Sequence, residues 1–375
     1  MFVEYLFDIN PLTFLLIMST LVFLFYKNMN KNDAKTKREY TETLVDFKVY
    51  ERPEEKSLKD TIFVMSYNIM SCAFTKIEWF PYCSPEYLHP QYRSPRIINE
   101  IERVNADILC LQECDHDLFS EFYQPNLEAM GYNCIFKTTS TSRVVTVCVA
   151  YKRKLFKEEG YNYLNLDEEL EKLDETFSRH KEALIVKLKQ YSTGQRLIVA
   201  NTHLFWNPDF EYVKYGQISR VIKNIDKNYD KNTPIIFAGD FNSTPNSNVL
   251  KYVYKKAPEI SSNYRGDFSK NKRFMELFWN EHQHNLELRS AYDIYKVGSN
   301  TDYADWSENH PDFSTYTHEF IGTLDYILYT ANNLEVLELM KLPTHDVEVK
   351  TNKLPNSKYP SDHLKIGARF RLKSK

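Results

Sequence analysis

The chain has 375 residues, of which 26% are charged and 42% are hydrophobic, and its formal net charge is -3. This composition suits one large folded domain with an appendage, and it excludes a disordered chain. A slightly acidic protein is not expected to grip duplex nucleic acid along its length, because phosphate contacts need many lysines and arginines. No repeat of about 20 to 30 residues is visible, so a leucine-rich array is not predicted.

The first predicted element is an apolar segment near the N-terminus. Residues 9–26 carry no charge and are dominated by Leu, Phe, Ile and Val, and their number is near the lower limit for crossing a bilayer. Glu4 and Asp8 precede the run, and several basic residues follow it from Lys27 to Arg38. Because positive charge favours the cytosolic side, residues 1–26 are predicted to be a membrane anchor with the rest of the chain in the cytosol. The alternative is an interfacial or buried helix.

Residues 27–58, rich in Lys, Glu, Asp and Thr, are predicted to be a polar linker, and residues 59–375 a folded catalytic domain. From residue 59 onward, strand-like runs alternate with helical ones. Strands are predicted at 61–67, 107–112, 144–151, 183–188, 197–202, 234–237, 326–329 and 366–372. Apolar residues recur at helical spacing in 96–104 and 212–225. The alternation predicts an α/β fold, but periodicity alone does not choose among α/β layerings.

Many of the predicted strands carry, at one end, a polar residue suited to a metal ion or a phosphate. These residues are Asn68, Glu113, His203, Asp240, Asp325 and the run Ser361-Asp362-His363. A carboxylate can hold a cation or take a proton from water, and an amide or imidazole can donate to a phosphoryl oxygen. So many polar strand ends together predict a single site for phosphate-ester chemistry.

The clearest of these strand ends is Gly239-Asp240-Phe241-Asn242, which follows an apolar run. Positions i and i+2 of a strand face the same side, so the Asp240 carboxylate and the Asn242 carboxamide are predicted to point together. Asp240 would hold or deprotonate a water, and Asn242 would donate to a phosphoryl oxygen. The alternative interpretation is a strand followed by an Asx-turn.

Taken in order, the motifs Ser-Tyr-Asn, Leu-Gln-Glu, Thr-His-Leu, Gly-Asp-Phe-Asn-Ser, Leu-Asp-Tyr-Ile and Ser-Asp-His resemble the endonuclease/exonuclease/phosphatase superfamily, over roughly residues 60–372. Finer matches around 201–208, at Gln217, at 316–326 and at 354–363 are similar to one branch of it. That branch holds the carbon-catabolite-repressor-type deadenylases, nocturnin, Angel and the 2′,5′-phosphodiesterases. The resemblance implies a four-layer α/β sandwich, in which two mixed β-sheets pack face to face and helices cover them.

The resemblance also implies a metal site. Glu113, with Asn68 beside it, would hold Mg²⁺, or Mn²⁺ in its place, because hard cations favour oxygen ligands. Asp362 would either reach the metal through water or shape its own loop. The metal would polarise the scissile phosphate and offset charge on the leaving oxygen.

Five further residues would carry the reaction. Asp240 would orient or deprotonate the attacking water, while Asn242 and His203 would donate to the non-bridging oxygens. Asp325 and His363 would form a carboxylate–imidazole pair, in which the acid sets the tautomer and orientation of the ring. Whether His363 is a base or a phosphate contact stays open at this point.

In the deadenylase-like members a proline and a phenylalanine clamp the terminal adenine, and the matching positions here are Pro208 and Phe320. Base stacking of this kind contributes about 1 to 3 kcal/mol per base; the alternative for Phe320 is a core position. The resemblance therefore implies a Mg-dependent 3′-exoribonuclease that acts on single-stranded RNA 3′ ends, prefers poly(A) and releases 5′-AMP. The alternatives are a nucleotide phosphatase or 2′,5′-phosphodiesterase, a membrane-lipid phosphodiesterase, and a tethered binding module without activity.

Two positions depart from the family pattern. The family commonly has Asp-Gly before the strand at 147–151, where this chain has Val145-Thr146. It commonly has Asn before the strand that begins Ala183-Leu184, where this chain has Lys181-Glu182. Glu182 is expected to add negative charge near the pocket and to alter the preferred substrate.

Overall fold

The computed structural model describes residues 46–49, 60–137, 145–173, 178–259, 266–296, 309–343 and 346–373. The chain divides into two units, Met1–Leu44 and Val45–Lys375, and every described residue belongs to the second. The predicted membrane anchor, residues 1–26, and most of the predicted linker, 27–58, lie outside the described residues. Within the ranges given above, none of the helices combines the length and the apolar character that a bilayer span requires.

Two mixed β-sheets form the centre of the fold. The strands, in chain order, are β1 (Phe47–Val49), β2 (Thr61–Asn68), β3 (Ile108–Asp115), β4 (Tyr132–Phe136), β5 (Val145–Lys152), β6 (Phe156–Asn165), β7 (Glu182–Gln190), β8 (Arg196–His203), β9 (Ile235–Asp240), β10 (Leu288–Ser290), β11 (Thr315–Tyr316), β12 (Ile321–Gly322), β13 (Asp325–Thr330), β14 (Leu334–Met340) and β15 (Ile366–Leu372). The first sheet has the order β1-β14-β15-β2-β3-β5-β4, and the second has the order β10-β13-β9-β8-β7-β6. Each strand that the sequence predicts is present and starts within one residue of its predicted start.

The core lies between the two sheets. β2 packs against β9, and β3 packs against β8. Val64 and Ile108 of the first sheet share one buried apolar cluster with Val186, Val199 and Ile236 of the second. Burying each such side chain stabilises the fold by about 1.5 to 3 kcal/mol, so this layer is a main source of stability.

Helices surround the two sheets, and several of them cover the outer faces. They are α1 (Pro85–Leu88), α2 (Pro90–Val104), α3 (His116–Leu118), α4 (Gln124–Ala129), α5 (Glu168–Leu173), α6 (Glu211–Asn228), α7 (Asn248–Val253), α8 (Phe268–Glu281) and α9 (Val347–Asn352). Ile97 and Ile101 of α2 pack with Met65 and Leu109 on the outside of the first sheet. The apolar face of α6 packs in the same way on the second sheet. The expected sandwich of two packed mixed sheets flanked by helices is therefore confirmed.

Three residues inside the predicted linker belong to the first sheet. Phe47–Val49 form the edge strand β1, which pairs antiparallel with β14 and places Phe47 opposite Met340. The Phe47 ring lies 5.6 Å from the ring of Phe63. Because Phe47 packs against Phe63 and its strand pairs with β14, the folded domain includes these three positions.

Two parallel strand pairs position the polar strand ends. β2 and β3 are parallel and connected through α2, and they end near Asn68 and Glu113. β8 and β9 are parallel and connected through α6, and they end at His203 and Asp240. Because the carboxyl ends of parallel strands meet at one edge, each pair brings its polar residues together.

Candidate active site

One row of the second sheet collects three of the predicted residues. Asp240 ends β9, and the pairing register places His203 of β8 on one side of it and Asp325 of β13 on the other. Paired residues of one row point to the same face of the sheet. Asp240 and Asp325 are buried, with 1% and 2% of their surface exposed. The register of three strands that are distant in sequence therefore assembles this part of the site.

His363, just ahead of β15, reaches the same row. Its Nδ1 lies 2.8 Å from Asp325 Oδ2, which also accepts a 2.6 Å hydrogen bond from Ser314 Oγ. Its Nε2 lies 3.6 Å from Asp240 Oδ2. Burial alone would lower the pKa of His363, but Asp325 and Asp240 together raise this pKa well above its ordinary value. The structure thus brings together the predicted carboxylate–imidazole pair, with the ring in its charged form.

Asn68 connects the two sheets at the site. Its Nδ2 donates to Glu113 Oε1 and to Asp240 Oδ2, both at 3.0 Å, and its Oδ1 accepts from the Met70 N–H at 3.0 Å. The carboxamide therefore presents its nitrogen, and not its oxygen, to the carboxylates. In this arrangement Asn68 sets the separation of Glu113 and Asp240, and its predicted role beside the metal stays a prediction.

Glu113 occupies an irregular position in β3. The pairing of β3 with β5 shifts between Leu111 and Cys114, and Glu113 has a φ of 58°. A bulge of this kind re-aims a side chain, and here it directs Glu113 toward Asn68. Glu113 Oε2 also accepts a 2.8 Å hydrogen bond from the Ser71 N–H.

The site carries closely spaced buried carboxylates. Burial, together with the charge of Asp362, raises the pKa of Glu113 to about 7. Burial also raises the pKa of Asp240 to about 6, although His363 acts in the opposite direction. His203 Nε2 lies 3.6 Å from Asp240 Oδ2 and 3.9 Å from Glu113 Oε1. Burial and the nearby charges of Lys181 and His363 lower the pKa of His203 well below its ordinary value, so this ring is neutral.

The donor set fits a divalent cation. One ligand atom each of Asp240, Asp325 and His363 lies within 4.8 Å of the others. A charged imidazole cannot bind a cation, so the two carboxylates are the potential ligands of this group. The buried Oδ1 of Asp325 has no hydrogen-bond partner among the described residues. Glu113 and Asp362 face each other closely enough for one to raise the pKa of the other. Such an oxygen-rich, negatively charged group suits a hard cation, which would also lower the pKa values of these carboxyls.

Asn242 lies beside the site, but in a turn and not in the strand that the sequence predicts. β9 ends at Asp240, and Asn242 has a φ of 47°. Its backbone N–H donates to Asp240 Oδ1 at 2.8 Å, which makes an Asx-turn. The expectation that the two side chains share one face of a strand is therefore wrong. The turn still places Asn242 beside Asp240, with its Nδ2 3.1 Å from the Leu204 carbonyl oxygen.

Pro208 and Phe320 line the same cavity. Its volume is about 740 Å³, and Trp206, Lys214 and Asn242 contribute to its walls. Phe320 is 39% exposed, which excludes the core position considered for it. Trp206 is 65% exposed and offers a further aromatic surface that the sequence did not single out.

Some polar residues of the motifs hold the site together without lining it. Gln112 Nε2 donates to Asn201 Oδ1 at 2.8 Å, across the interface between the sheets. Asn201 Nδ2 in turn donates to the carbonyls of Leu111 and Cys148. Buried polar groups need such partners, and here they fix how the two sheets are aligned.

Arg93 was not predicted from the sequence. It is 1% exposed, and its guanidinium donates to the carbonyls of Ile69, Met70 and Pro360. These bonds join the segment after β2 to the segment that carries His363. An arginine on a helix has no sequence pattern that marks this role.

Fold and site together define a class of α/β sandwich proteins with an acidic, imidazole-bearing cluster at one end of two packed sheets. The chain belongs to the endonuclease/exonuclease/phosphatase family, whose sequence model matches residues 65–363.

Three relatives illustrate the similarity. The chain is 30% identical to 2′,5′-phosphodiesterase 12 of Homo sapiens over 329 residues, which cover 81% of this chain and 51% of that protein. It is 28% identical to the CCR4-Not complex 3′-5′-exoribonuclease subunit Ccr4 of Yarrowia lipolytica over 359 residues, which cover 84% of this chain and 48% of that one. The crystal structure of ANGEL2, described as a 2′,3′-cyclic phosphatase in complex with adenosine-2′,3′-vanadate, superposes with a TM-score of 0.72 at 26% identity, covering 88% and 99% of the two chains. This chain spans about half the length of the curated relatives it matches.

Proposed function

We propose that the chain is a divalent-metal-dependent phosphodiester hydrolase. The observation that carries the proposal is the single buried cluster in which Asn68 joins Glu113 to Asp240, beside the Asp325–His363 pair. Two of its carboxylates, Asp240 and Asp325, are buried, which is unusual for acidic side chains without a functional partner. The family and the names of its relatives support the same class of reaction.

The chemistry follows from the environment of each group. Asp240 is the base that orients and deprotonates the attacking water, because burial brings its pKa close to neutrality. His363, charged and held by Asp325, and neutral His203 flank Asp240 and donate to the non-bridging oxygens. Glu113 would hold a divalent cation, which would supply charge that stabilises the leaving oxygen. The water oxygen bonds to phosphorus, the bond from phosphorus to the 3′ oxygen breaks, and that oxygen takes up a proton.

We further propose that the substrate is the 3′ end of a single-stranded RNA, that poly(A) is preferred, and that 5′-AMP is released. The support is the cavity beside Asn242, where Pro208 and Phe320 offer two surfaces for one base. The cation in this proposal is Mg²⁺ or Mn²⁺, and Asp362 adds negative charge next to Glu113.

A time course with the purified full chain tests this proposal. A 5′-labelled RNA with an oligo(A) tail is incubated with Mg²⁺, beside a uridine-tailed RNA and with Asp240→Ala as the blank. We expect stepwise shortening of the adenosine tail, slower shortening of the uridine tail, and no product from the variant. Cleavage that ignores the tail sequence would contradict the adenine preference, and cleavage by the variant would contradict the role of Asp240.

A second candidate is a 2′,5′-phosphodiesterase or a nucleotide phosphatase. The observation that favours it is the similarity to 2′,5′-phosphodiesterase 12 and to ANGEL2. The same assay with 2′,5′-linked oligoadenylate, an RNA ending in a 2′,3′-cyclic phosphate, NADPH and sphingomyelin distinguishes the substrates. Sphingomyelin represents the lipid alternative. If any of these compounds is turned over faster than the oligo(A) tail, the proposed roles of the residues stand and the proposed substrate is wrong.

We also propose that residues 9–26 anchor the protein in a membrane and leave the catalytic domain, within residues 59–375, in the cytosol. The support is the uncharged apolar run and the basic residues that follow it. Extraction of cell membranes with alkaline carbonate, followed by protease treatment of intact vesicles, tests this. We expect the protein to stay in the pellet and to be digested from the cytosolic side; release by carbonate would contradict the anchor.

A further inference from the structure

A second cavity opens beside the catalytic cluster, away from the one that holds Pro208 and Phe320. Its volume is about 330 Å³, and its walls include Phe74, Arg179, Lys181, Glu182 and His203. Across the second sheet, the order β13-β9-β8-β7 places this cavity beyond His203, on the far side of Asp240 from Asp325. Phe320 and Leu324 line the first cavity, near the start of β13. The two cavities therefore flank the position of the scissile phosphate.

Lys181 is the unexplained group in this second cavity. Burial lowers its pKa, and attraction to Glu113, Asp240 and Asp167 only partly offsets this effect. Its ammonium group makes no hydrogen bond or ion pair with any residue that the structure describes. Lys181 is half-buried and lines the cavity, so an anionic ligand that enters the cavity can reach its ammonium group.

The backbone of Lys181 is held firmly. Its N–H donates to Asp167 Oδ2 at 3.0 Å, and its carbonyl accepts from the Leu166 N–H at 2.9 Å. Asp167 Oδ1 accepts from Gln217 Nε2 on α6 at 3.1 Å. The lysine is therefore presented to the cavity by a fixed support, as a preorganised binding group requires.

The acidic neighbour does not cancel this charge. Glu182 Oε1 pairs with Lys137 Nζ at 2.8 Å, and the Glu182 side chain is only 10% exposed. The expectation that Glu182 makes the pocket more negative is thus offset by Lys137. Lys181 therefore contributes positive charge to the cavity wall.

An aromatic surface adjoins the cationic wall. Phe74 lines the cavity, is 39% exposed, and lies 6.3 Å from the ring of Trp79. Such an exposed ring suits stacking with a base of any identity. The cavity therefore pairs a site for a phosphate with a surface for a base.

We propose that the second cavity binds the penultimate nucleotide of the RNA and that the Lys181 ammonium contacts the phosphate on its 5′ side. The inference rests on the proposed function. In a reaction that releases the terminal nucleotide as 5′-AMP, the penultimate nucleotide carries the leaving 3′ oxygen and lies on the far side of the scissile phosphate. The enzyme then requires a phosphate one nucleotide upstream of the bond that it cleaves for full efficiency.

Two dinucleotides that differ in one phosphate test this directly. Both ApA and pApA contain the scissile bond, but only pApA has the 5′ phosphate that Lys181 would bind. We expect the full chain to cleave pApA with a kcat/KM about tenfold above that for ApA, mainly through KM, which corresponds to about 1.4 kcal/mol. Lys181→Gln should lower the kcat/KM for pApA about tenfold more than that for ApA and so remove this preference, and Lys181→Arg should retain it.

Lys189→Gln, at the other end of β7, is the matched control and should behave as the parent. An equal loss on both dinucleotides in Lys181→Gln, or an unchanged preference for pApA, would overturn the proposal. If the parent cleaves neither dinucleotide, the proposed function fails. Equilibrium binding of ApA and pApA to the parent and to Lys181→Gln then tests the phosphate site independently of catalysis. Tighter binding of pApA by the parent alone supports the site, and equal binding of the two dinucleotides overturns it.

Discussion

The two parallel strand pairs reach the site by the same geometry, but their carboxylates have different nearest neighbours. Glu113, from the β2–β3 pair, lies near another carboxylate, that of Asp362, and accepts from a backbone amide. Asp240, from the β8–β9 pair, lies between His203 and the charged ring of His363. Negative surroundings favour a cation, whereas imidazoles favour proton transfer and phosphate contact. One connection pattern therefore leads to the two ends that we propose for this site, a metal end at Glu113 and a water end at Asp240.

The largest expected effect comes from the water end. Asp240→Asn keeps the shape of the side chain but removes the base, so we expect single-turnover rates to fall by about 10³-fold. If Glu113 is the principal metal ligand, we expect Mn²⁺ to raise the melting temperature of this variant as much as it raises that of the parent. Retention of most of the activity would show that another group activates the water.

A smaller loss is expected at the metal end. Glu113→Gln weakens the cation site, and activity at low metal concentration should fall by about 100-fold. A titration with Mg²⁺ should recover part of this loss, because the groups around Asp240 are intact. A loss that no metal concentration recovers would mean that Glu113 does more than bind the cation.

Asn68 tests the connection between the two ends. Asn68→Ala removes both 3.0 Å hydrogen bonds and leaves Glu113 and Asp240 without a fixed separation. We expect activity to fall by about 10-fold to 100-fold together with weaker metal binding. Met65→Leu, in the interior of the same strand and packed on the outer side of the first sheet, is a control for β2 that leaves these bonds in place. If only activity falls, Asn68 supports Asp240 alone, and if only metal binding weakens, it supports Glu113 alone.

The smallest effect is a pH dependence. In the folded protein the pKa of Glu113 is raised to about 7 and that of Asp240 to about 6. Without a metal ion, protonation of these two carboxyl groups therefore stabilises the folded state. Their stabilising contribution is present below their unfolded pKa values, near 4, and is lost as pH rises through 6 to 7. A cation binds the ionised forms. The metal-induced rise in melting temperature should therefore be small at pH 5 and larger at pH 8.

Melting curves with and without Mg²⁺ at each pH measure this difference, since other titrating groups contribute to both curves. Glu113→Gln should show a weaker pH dependence. A metal effect that is equal at pH 5 and pH 8 would contradict the raised pKa values.

The sequence predicted the elements that have long apolar runs. It did not predict β1, because a three-residue strand exists only where β14 offers an edge to pair with. It did not predict β6 either, since the first half of Phe156–Asn165 is largely polar and its place at the edge of the second sheet leaves much of it in solvent. Strand alternation also failed for Asn242, where a left-handed turn replaces the strand.

The candidate site divides in the same way. Residues at strand ends, such as Glu113, Asp240 and Asp325, could be singled out because an apolar run that stops at a carboxylate is visible in the chain itself. Lys181 and Arg93 could not, because their roles depend on which distant groups surround them.

By itself, the sequence determined which side chains stand at the ends of buried strands, since apolar periodicity and chemical type are local properties. The tertiary structure alone decided how these ends meet. Register places His203, Asp240 and Asp325 in one row. Pairing of β2 with β3 brings Asn68 within 3.0 Å of Glu113, and packing of the two sheets brings it within 3.0 Å of Asp240. Hydrogen-bond partners and burial, and with them the pKa values, depend on contacts between residues far apart in the chain, which no local pattern encodes.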